Sequence, residues 1–167
     1  MCVVLKQRLK IVPPNDGAGP EILAVANKIS QFSKEDQNCI AELWQESLSS
    51  KTDPDRYHFL VAENGNKIVG FACFGHRPLT QGSYDFYWLG VDPEFQHQGI
   101  GHALMNSVEN EIKKASGYLI ILETSSMKEF ALTRNAYQKF GYQQVAEIPD
   151  FYTPGDGLVI YVKRLIR

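Results

Sequence analysis

Val91-Asp92-Pro93-Glu94-Phe95-Gln96-His97-Gln98-Gly99-Ile100-Gly101 joins an aromatic, strand-like run, Tyr84 to Leu89, to the start of a helical pattern. A strand, a loop ending in Gly-x-Gly and then a helix present main-chain N–H groups to an anion. The first N–H groups of a helix have no partner inside it, and the macrodipole puts partial positive charge at the same end. Without a Cβ at Gly99 and Gly101 a diphosphate can approach the main chain closely. The stretch therefore points to a phosphate-bearing ligand.

Working outward, Ile100, Leu104, Val108 and Ile112 recur every four residues, the repeat of one helix face. Ser116-Gly117 should end that helix, with glycine in a left-handed cap. Tyr118 to Leu122 is continuously apolar and reads as a strand buried on both faces. A helix from about Lys128 to Phe140 follows, stopped by Gly141. Tyr142 to Ile148 and Leu158 to Leu165 close the chain as two strands around a loop with Pro149, Pro154 and Gly155.

Upstream, Val4 to Val12 reads as a first strand, ended by Pro13-Pro14 and Asn15-Asp16-Gly17. Helical patterns lie near Glu21 to Ile29 and Lys34 to Ser49, the second with Ser33 as N-cap and Ile40, Leu43, Trp44 and Leu48 turned inward. Tyr57 to Glu63 and Lys67 to Phe74 flank Asn64-Gly65-Asn66 and form a hairpin. Ser83 to Val91 adds a third strand. The order predicts an α/β (α+β) fold: a mixed, mostly antiparallel sheet of about six to seven strands flanked by about four helices, with one right-handed crossover between parallel neighbours.

At 167 residues the expectation is a single domain spanning 1–167 with a sizeable core. A net charge of −2 and scattered basic residues give no footprint for nucleic acid or an anionic membrane. Three separated cysteines, Cys2, Cys39 and Cys73, read as reduced thiols. No apolar run approaches the roughly 20 residues of a membrane span, and the start lacks a signal-peptide layout. A cytoplasmic protein is expected. His58, His76, His97 and His102 form no HxxxH or HExxH set, so no metal is expected.

Two other phosphate motifs fail. Gly99-Ile100-Gly101 precedes a helix and Glu123 ends the next strand, which is near the dinucleotide-binding spacing. Leu104, however, stands where the third glycine would be, the glycines lie well past the strand end, and one βαβ unit among antiparallel strands cannot build a doubly wound sheet. The Walker pattern is absent, since no Gly-Lys-Ser/Thr occurs.

Val-x-Pro-x-x-Gln-x-x-Gly-x-Gly, read from Val91 to Gly101, resembles the acyl-CoA-binding motif of the GNAT superfamily of N-acyltransferases. Ala136-Tyr137-Gln138-Lys139-Phe140-Gly141-Tyr142 is similar to that family's aromatic-Tyr-Glu-Lys-Leu-Gly-Phe segment, and the element order agrees over nearly the whole chain. The resemblance implies acetyl-CoA as co-substrate. Main-chain amides of Gln96, His97, Gln98, Gly99, Ile100, Gly101 and His102 would wrap its diphosphate, and the pantetheine arm would lie along the strand ending at Val91. That placement requires a central splay between the strands ending near Val91 and starting near Tyr118. Gly90 is a candidate for the irregularity, although a simple packing gap would also explain a glycine there.

The implied reaction is direct attack of an uncharged amine on the thioester through a tetrahedral oxyanion, followed by loss of the CoA thiolate. The Val91 or Leu89 N–H is the family-like oxyanion donor. Tyr137 occupies the position of the family's acid tyrosine and is the chosen donor to the thiolate, since a phenol with an ordinary pKa of about 10 carries its proton at neutral pH; the alternative is a ring packed beneath the sheet. For the base, Glu123 ends an apolar strand, where partial desolvation would raise its pKa. A structural carboxylate orienting Thr124 to Ser126 is the alternative. Asp85 is a second base candidate unless it caps a turn, and a water chain without a single base remains open. Many relatives carry an asparagine where this chain has Phe130, so contacts from that helix start fall to Ser125 or Ser126, or are missing. Arg134 could reach a CoA phosphate or be solvated. Tyr152 and Asp156 could border the acceptor.

These readings converge on transfer of an acetyl group to a primary amine of a small molecule, amino acid or peptide, by a monomer or homodimer. Two alternatives stand beside it: a non-catalytic acyl-CoA-binding sensor module, and an acetyltransferase acting on protein N-termini or lysines.

Overall fold

Seven strands and four α-helices alternate in the computed structural model, which describes residues 9–49 and 51–165. In chain order they are β1 (Leu9–Val12), α1 (Gly19–Lys28), α2 (Lys34–Ser49), β2 (Tyr57–Asn64), β3 (Lys67–His76), β4 (Ser83–Val91), α3 (Ile100–Lys114), β5 (Leu119–Ser125), α4 (Ala131–Lys139), β6 (Gln143–Thr153) and β7 (Asp156–Arg164). The part of the expected first strand before Leu9 lies outside the described residues. All strands join one sheet in the order β1-β2-β3-β4-β5-β7-β6, and only β4 and β5 run parallel, linked across α3. The mixed sheet and its helices match the architecture expected from the sequence.

Local chemistry explains several boundaries. Ser33 and Asp36 cap α2 reciprocally: the Asp36 N–H donates to Ser33 Oγ at 3.1 Å and the Ser33 N–H to Asp36 Oδ2 at 2.8 Å. Gly65 carries the β2–β3 hairpin with φ +65°. At the end of α3 the left-handed residue is Ser116 (φ +64°), not Gly117 as the sequence suggested. Gly117 is required for space, because a Cβ there would lie 2.4 Å from Ile112 Cγ2 and 2.7 Å from Tyr84 Cε2. Strands β6 and β7 extend to Thr153 and Asp156 around Pro154-Gly155, but Pro149 to Tyr152 leave the ladder between Ile148↔Leu158 and Thr153↔Asp156, where the sequence predicts a loop.

Two hydrophobic layers sandwich part of the sheet. Ile22, Val25, Ile40 and Trp44 of α1 and α2 pack with Phe59, Val61, Phe71 and Cys73 on one face. Leu104, Met105, Val108 and Ile112 of α3 pack with Ala72, Phe86, Ile120, Leu122 and Tyr161 on the other. Strand β3 lies under both layers, so its run from Ile68 to Gly75 is buried throughout. The prediction that Tyr118 to Leu122 is buried on both faces is corrected: Leu119 and Ile121 are only half-buried. The α1–α2 layer covers β2 to β4 and stops short of β5, so one face of β5 and β7 is open.

Asp92 fixes the junction after β4. Fully buried, its carboxylate accepts from Lys28 Nζ at 2.6 Å and from the Glu94 N–H at 3.1 Å, with Lys67 Nζ 3.9 Å away. Burial alone would raise its pKa, but the Lys28 and Glu94 hydrogen bonds and the two ammonium charges hold it below the usual carboxylate value. A depressed folded-state pKa contributes stability above the unfolded value of about 3.9 that is lost as pH falls through the folded value. Asp92→Asn should therefore lower unfolding free energy by about 1–3 kcal/mol at pH 7, and urea melts should show that difference shrinking below about pH 4.

Candidate functional site

Strands β4 and β5 pair only from Ser83↔Leu119 to Phe86↔Leu122. Beyond that point β4 pairs only with β3, and Glu123 to Ser125 pair only with β7. The sheet is thus open between residues 87–91 and 123–125. Its cause lies at Tyr87: Cys73 pairs with Trp88 and Phe74 with Phe86, so Tyr87 is an extra residue, a bulge that bends β4 away from β5. The expectation that Gly90 supplies the irregularity is corrected. A Cβ at Gly90 would lie 2.6 Å from Phe71 Cε1 and 2.9 Å from Ile29 Cδ1, so this glycine serves packing under α1.

The bulge leaves a row of main-chain groups facing the gap. The Asp92 N–H donates to Val69 O at 2.9 Å, on the β3 side. Antiparallel ladders alternate, so Gly90 also turns toward β3, while the N–H groups of Leu89 and Val91 turn toward the opening. The Val91 carbonyl is held by Gln96 Nε2 at 3.1 Å.

A one-turn 3-10 helix, Pro93–Phe95, leads from β4 into the loop before α3. The Gln96 N–H leans on Pro93 O at 3.5 Å. Among the described residues, none of the N–H groups from His97 to His102 donates a hydrogen bond within the protein, and the first bond of α3 runs from the Ala103 N–H to Gly99 O. The free set therefore begins at His97, one residue later than the sequence implied. His97 (φ +60°) and Gly99 (φ +82°) take left-handed backbone, which curls these amides toward one side. A Cβ on Gly99 would meet nothing within 4 Å, and one on Gly101 only Val91 Cγ2 at 3.9 Å. Neither glycine is there for internal packing. The space before them, bordered by six free N–H groups at a helix N-terminus, fits a diphosphate.

Across the opening stands α4. The Tyr137 ring is buried against Tyr142 and Tyr161, with centroids 6.3 and 6.0 Å apart. Burial pushes the pKa of its hydroxyl well above the usual tyrosine value. Such a phenol keeps its proton in neutral solution.

Glu123 is the first β5 residue past the last β4 partner, at the mouth of the opening. It is exposed on the uncovered face, which corrects the expectation of a desolvated carboxylate at the end of a buried strand. Asp85 lies below the opening, paired with Ile121 in the ladder. Its oxygens accept from Arg77 Nη1 at 2.7 Å and Tyr87 Oη at 3.4 Å. Ser126 is tied to β7: its N–H donates to Gly157 O at 2.8 Å and its Oγ accepts from the Gly157 N–H at 2.7 Å. Ser125 Oγ donates to Asp156 Oδ1 at 2.6 Å. Arg134 is half-buried, and its Nη1 donates to Ser125 O and Met127 O at 2.7 and 2.8 Å. Sequence reasoning missed this clamp, because a guanidinium on two loop carbonyls leaves no spacing signal.

Tyr152 lies exposed near the β6–β7 tip. Its pKa is raised by partial burial and by the carboxylates of Glu123, Asp156 and Asp36. The hairpin tip, β5 and the start of α2 thus each bring a carboxylate to bear on this tyrosine. Among the described residues no three His, Cys, Asp or Glu side chains converge as a metal site, and no helix is long and apolar enough to cross a membrane.

Known proteins share this geometry. The acetyltransferase (GNAT) domain family matches residues 55–144, from just before β2 into β6. A GNAT-family structure from Desulfovibrio desulfuricans superposes with a TM-score of 0.90 at 30% identity, covering 94% of this chain and 99% of that one. The ribosomal protein bS18-alanine N-acetyltransferase of Escherichia coli K12 is 27% identical over 126 residues, covering 73% of this chain and 79% of the relative. A Salmonella typhimurium structure determined with its cofactor acetyl-CoA has the same fold, with a TM-score of 0.73 at 16% identity over 95% of each chain.

Gly101→Val should weaken CoA binding at least about 10-fold in calorimetry while leaving the melting temperature nearly unchanged, since the added atoms enter open space. Gly99→Val should lose binding and, in addition, about 1–2 kcal/mol of stability from its left-handed backbone.

Proposed function

Because this chain belongs to the GNAT acetyltransferase family and is an acetyl-CoA-dependent N-acetyltransferase, we propose that its acceptor is the α-amino group at a peptide or protein N-terminus. The observation that carries this reading is the uncovered face beside Glu123. It runs between α2 and the β6–β7 tip with no helix across it among the described residues, so a chain end can lie along it. An alanine in a protein offers only its α-amine for acylation, and the Escherichia coli relative acts on such an alanine. Carboxylates at 36, 123 and 156 favour approach of an ammonium group.

In the proposed mechanism the N–H groups from His97 to His102 hold the diphosphate, and the edge of β4 from Leu89 to Val91 pairs with the pantetheine amides as a neighbouring strand would. Acetyl-CoA supplies the activated acyl group. Glu123, exposed and at the mouth, accepts the proton of the incoming ammonium, directly or through water. Asp85 is the weaker candidate because Arg77 and Tyr87 already engage its oxygens. An N–H at Leu89 or Val91 is oriented to stabilise developing negative charge on the acyl oxygen. Tyr137 Oη carries the proton required by the departing sulfur, and its raised pKa keeps that proton in place well into alkaline solution. Gly90 acts only through packing, and Ser126 by bracing β5 against β7.

Mass spectrometry of acetyl-CoA incubations should show acetylation of peptides with a free N-terminal alanine. Matched peptides with a blocked N-terminus and internal lysines should remain unmodified. Turnover confined to small amines would overturn the proposed acceptor. Tyr137→Phe should lower kcat about 100-fold with CoA affinity unchanged, and the wild-type profile should show no loss from tyrosine ionisation below about pH 10.

A further inference from the structure

Behind Tyr137, away from the opening, lies a buried ion pair that the reaction does not touch. Lys163 of β7 donates from Nζ to Glu109 Oε1 and Oε2 of α3 at 2.7 and 2.8 Å, and to the carbonyl of Phe140 at 2.8 Å. Three donors meet three acceptors, so the ammonium is fully satisfied. Glu109 is buried and Lys163 is largely so.

Phe140 is the C-cap of α4, and the turn it closes is built on Tyr137 itself. The Tyr137 carbonyl accepts from the Phe140 N–H at 3.1 Å and the Tyr142 N–H at 3.0 Å. Gly141 takes φ +87° and leaves room for the lysine; a Cβ there would sit 3.6 Å from Lys163 Cε. The Tyr142 ring lies beneath the ammonium, 5.4 Å from Nζ, and also supports the Tyr137 ring. The Tyr142 hydroxyl is buried beside the Glu109 carboxylate, and burial together with that charge and hydrogen bonding raises its pKa above the usual tyrosine value. On the far side, the His102 ring packs on Phe140 with centroids 5.0 Å apart. One lysine thereby joins α3, β7 and the last turn of α4, the elements that surround the phenol.

We propose that the Glu109–Lys163 pair is a positioning pair that fixes Tyr137 for proton donation by locking the C-terminal turn of α4 against α3 and β7. The inference rests on Tyr137 being the acid. A buried ion pair is a poor device for stability, since apolar residues of similar size often serve as well or better. It does hold geometry: three bonds to two elements leave α4 little freedom, and a displacement of about 1 Å in a reacting group can cost about 100-fold in rate.

The test replaces both charges together, Glu109→Leu with Lys163→Met, so that no unpaired charge is left buried. In this background, and again with Tyr137→Phe added, kcat, the KM for acetyl-CoA and the melting curve are measured. The expected result is a fall in kcat of about 10-fold with acetyl-CoA KM within about twofold, and no further fall once Tyr137 is phenylalanine. An equal fall in both backgrounds, or none in either, would overturn the positioning role while leaving the acid role of Tyr137 standing. Wild-type turnover in Tyr137→Phe alone would remove that acid role, and this inference with it. Should the paired variant fail to fold, Lys163→Arg, which keeps the charge but changes the contact with the Phe140 carbonyl, goes through the same cycle.

Discussion

Hydrogen bonding between β4 and β5 stops after Phe86↔Leu122, and every part of the site is arranged around that interruption. Main-chain N–H and C=O groups in a sheet normally find partners, and leaving one buried without any costs about 1–3 kcal/mol. The Tyr87 bulge imposes that condition on the edge of β4 at the point where the crossover to β5 begins to diverge. A ligand carrying amides along its length can restore the ladder that the bulge removed. Coenzyme A has such an arm, and a Salmonella typhimurium protein of the same fold was determined with its cofactor acetyl-CoA.

An unpaired edge is useful only if the loop beyond it is held still without consuming its own donors. This loop is anchored from beneath. Asp92, buried and bound to Lys28, fastens its start to the end of α1, and Gln96 Nε2 turns back to the Val91 carbonyl. The anchors use side chains and carbonyls, so the N–H groups from His97 to His102 stay available. Gly99 supplies the left-handed turn at no steric expense, whereas His97 adopts φ +60° with a full side chain. Backbone held in that region by its surroundings is a recurrent property of binding loops.

Much of this was legible in the sequence because it rests on local rules. The period-four pattern from Ile100, the Asn64-Gly65-Asn66 turn, the Ser33 cap and the aromatic strand before Val91 each signal one element, and their order signals the mixed sheet. Errors arose where tertiary packing decides. Gly90 and Gly117 looked like backbone devices, yet each is small because another side chain occupies the position of its Cβ. Leu119 and Ile121 looked doubly buried because apolar content does not reveal where a helical layer ends. Glu123 was expected to be desolvated for the same reason. The Arg134 clamp and the Glu109–Lys163 pair join segments far apart in the chain, and neither has a motif.

The two halves of the site differ in how they are enclosed. On the cofactor side, α3 and α4 are packed on the sheet, and the phenol of Tyr137 is surrounded by aromatic rings that raise its pKa. On the acceptor side, among the described residues, no helix of the α1–α2 layer reaches the face of β5 and β7 that carries Glu123, and β6 is exposed along its whole length. In the proposed mechanism, enclosure suits a leaving group that takes its proton from one fixed donor. Openness suits an acceptor that arrives as the end of a long chain, whose remainder needs somewhere to go. A narrow pocket would discriminate among small amines by shape, whereas the carboxylates of Asp36, Glu123 and Asp156 around Tyr152 would favour the positive chain end of the proposed acceptor. Finer choice among N-terminal sequences would then fall to the exposed Phe151 and Tyr152, which pack edge to face at 5.0 Å and offer apolar surface beside the acids.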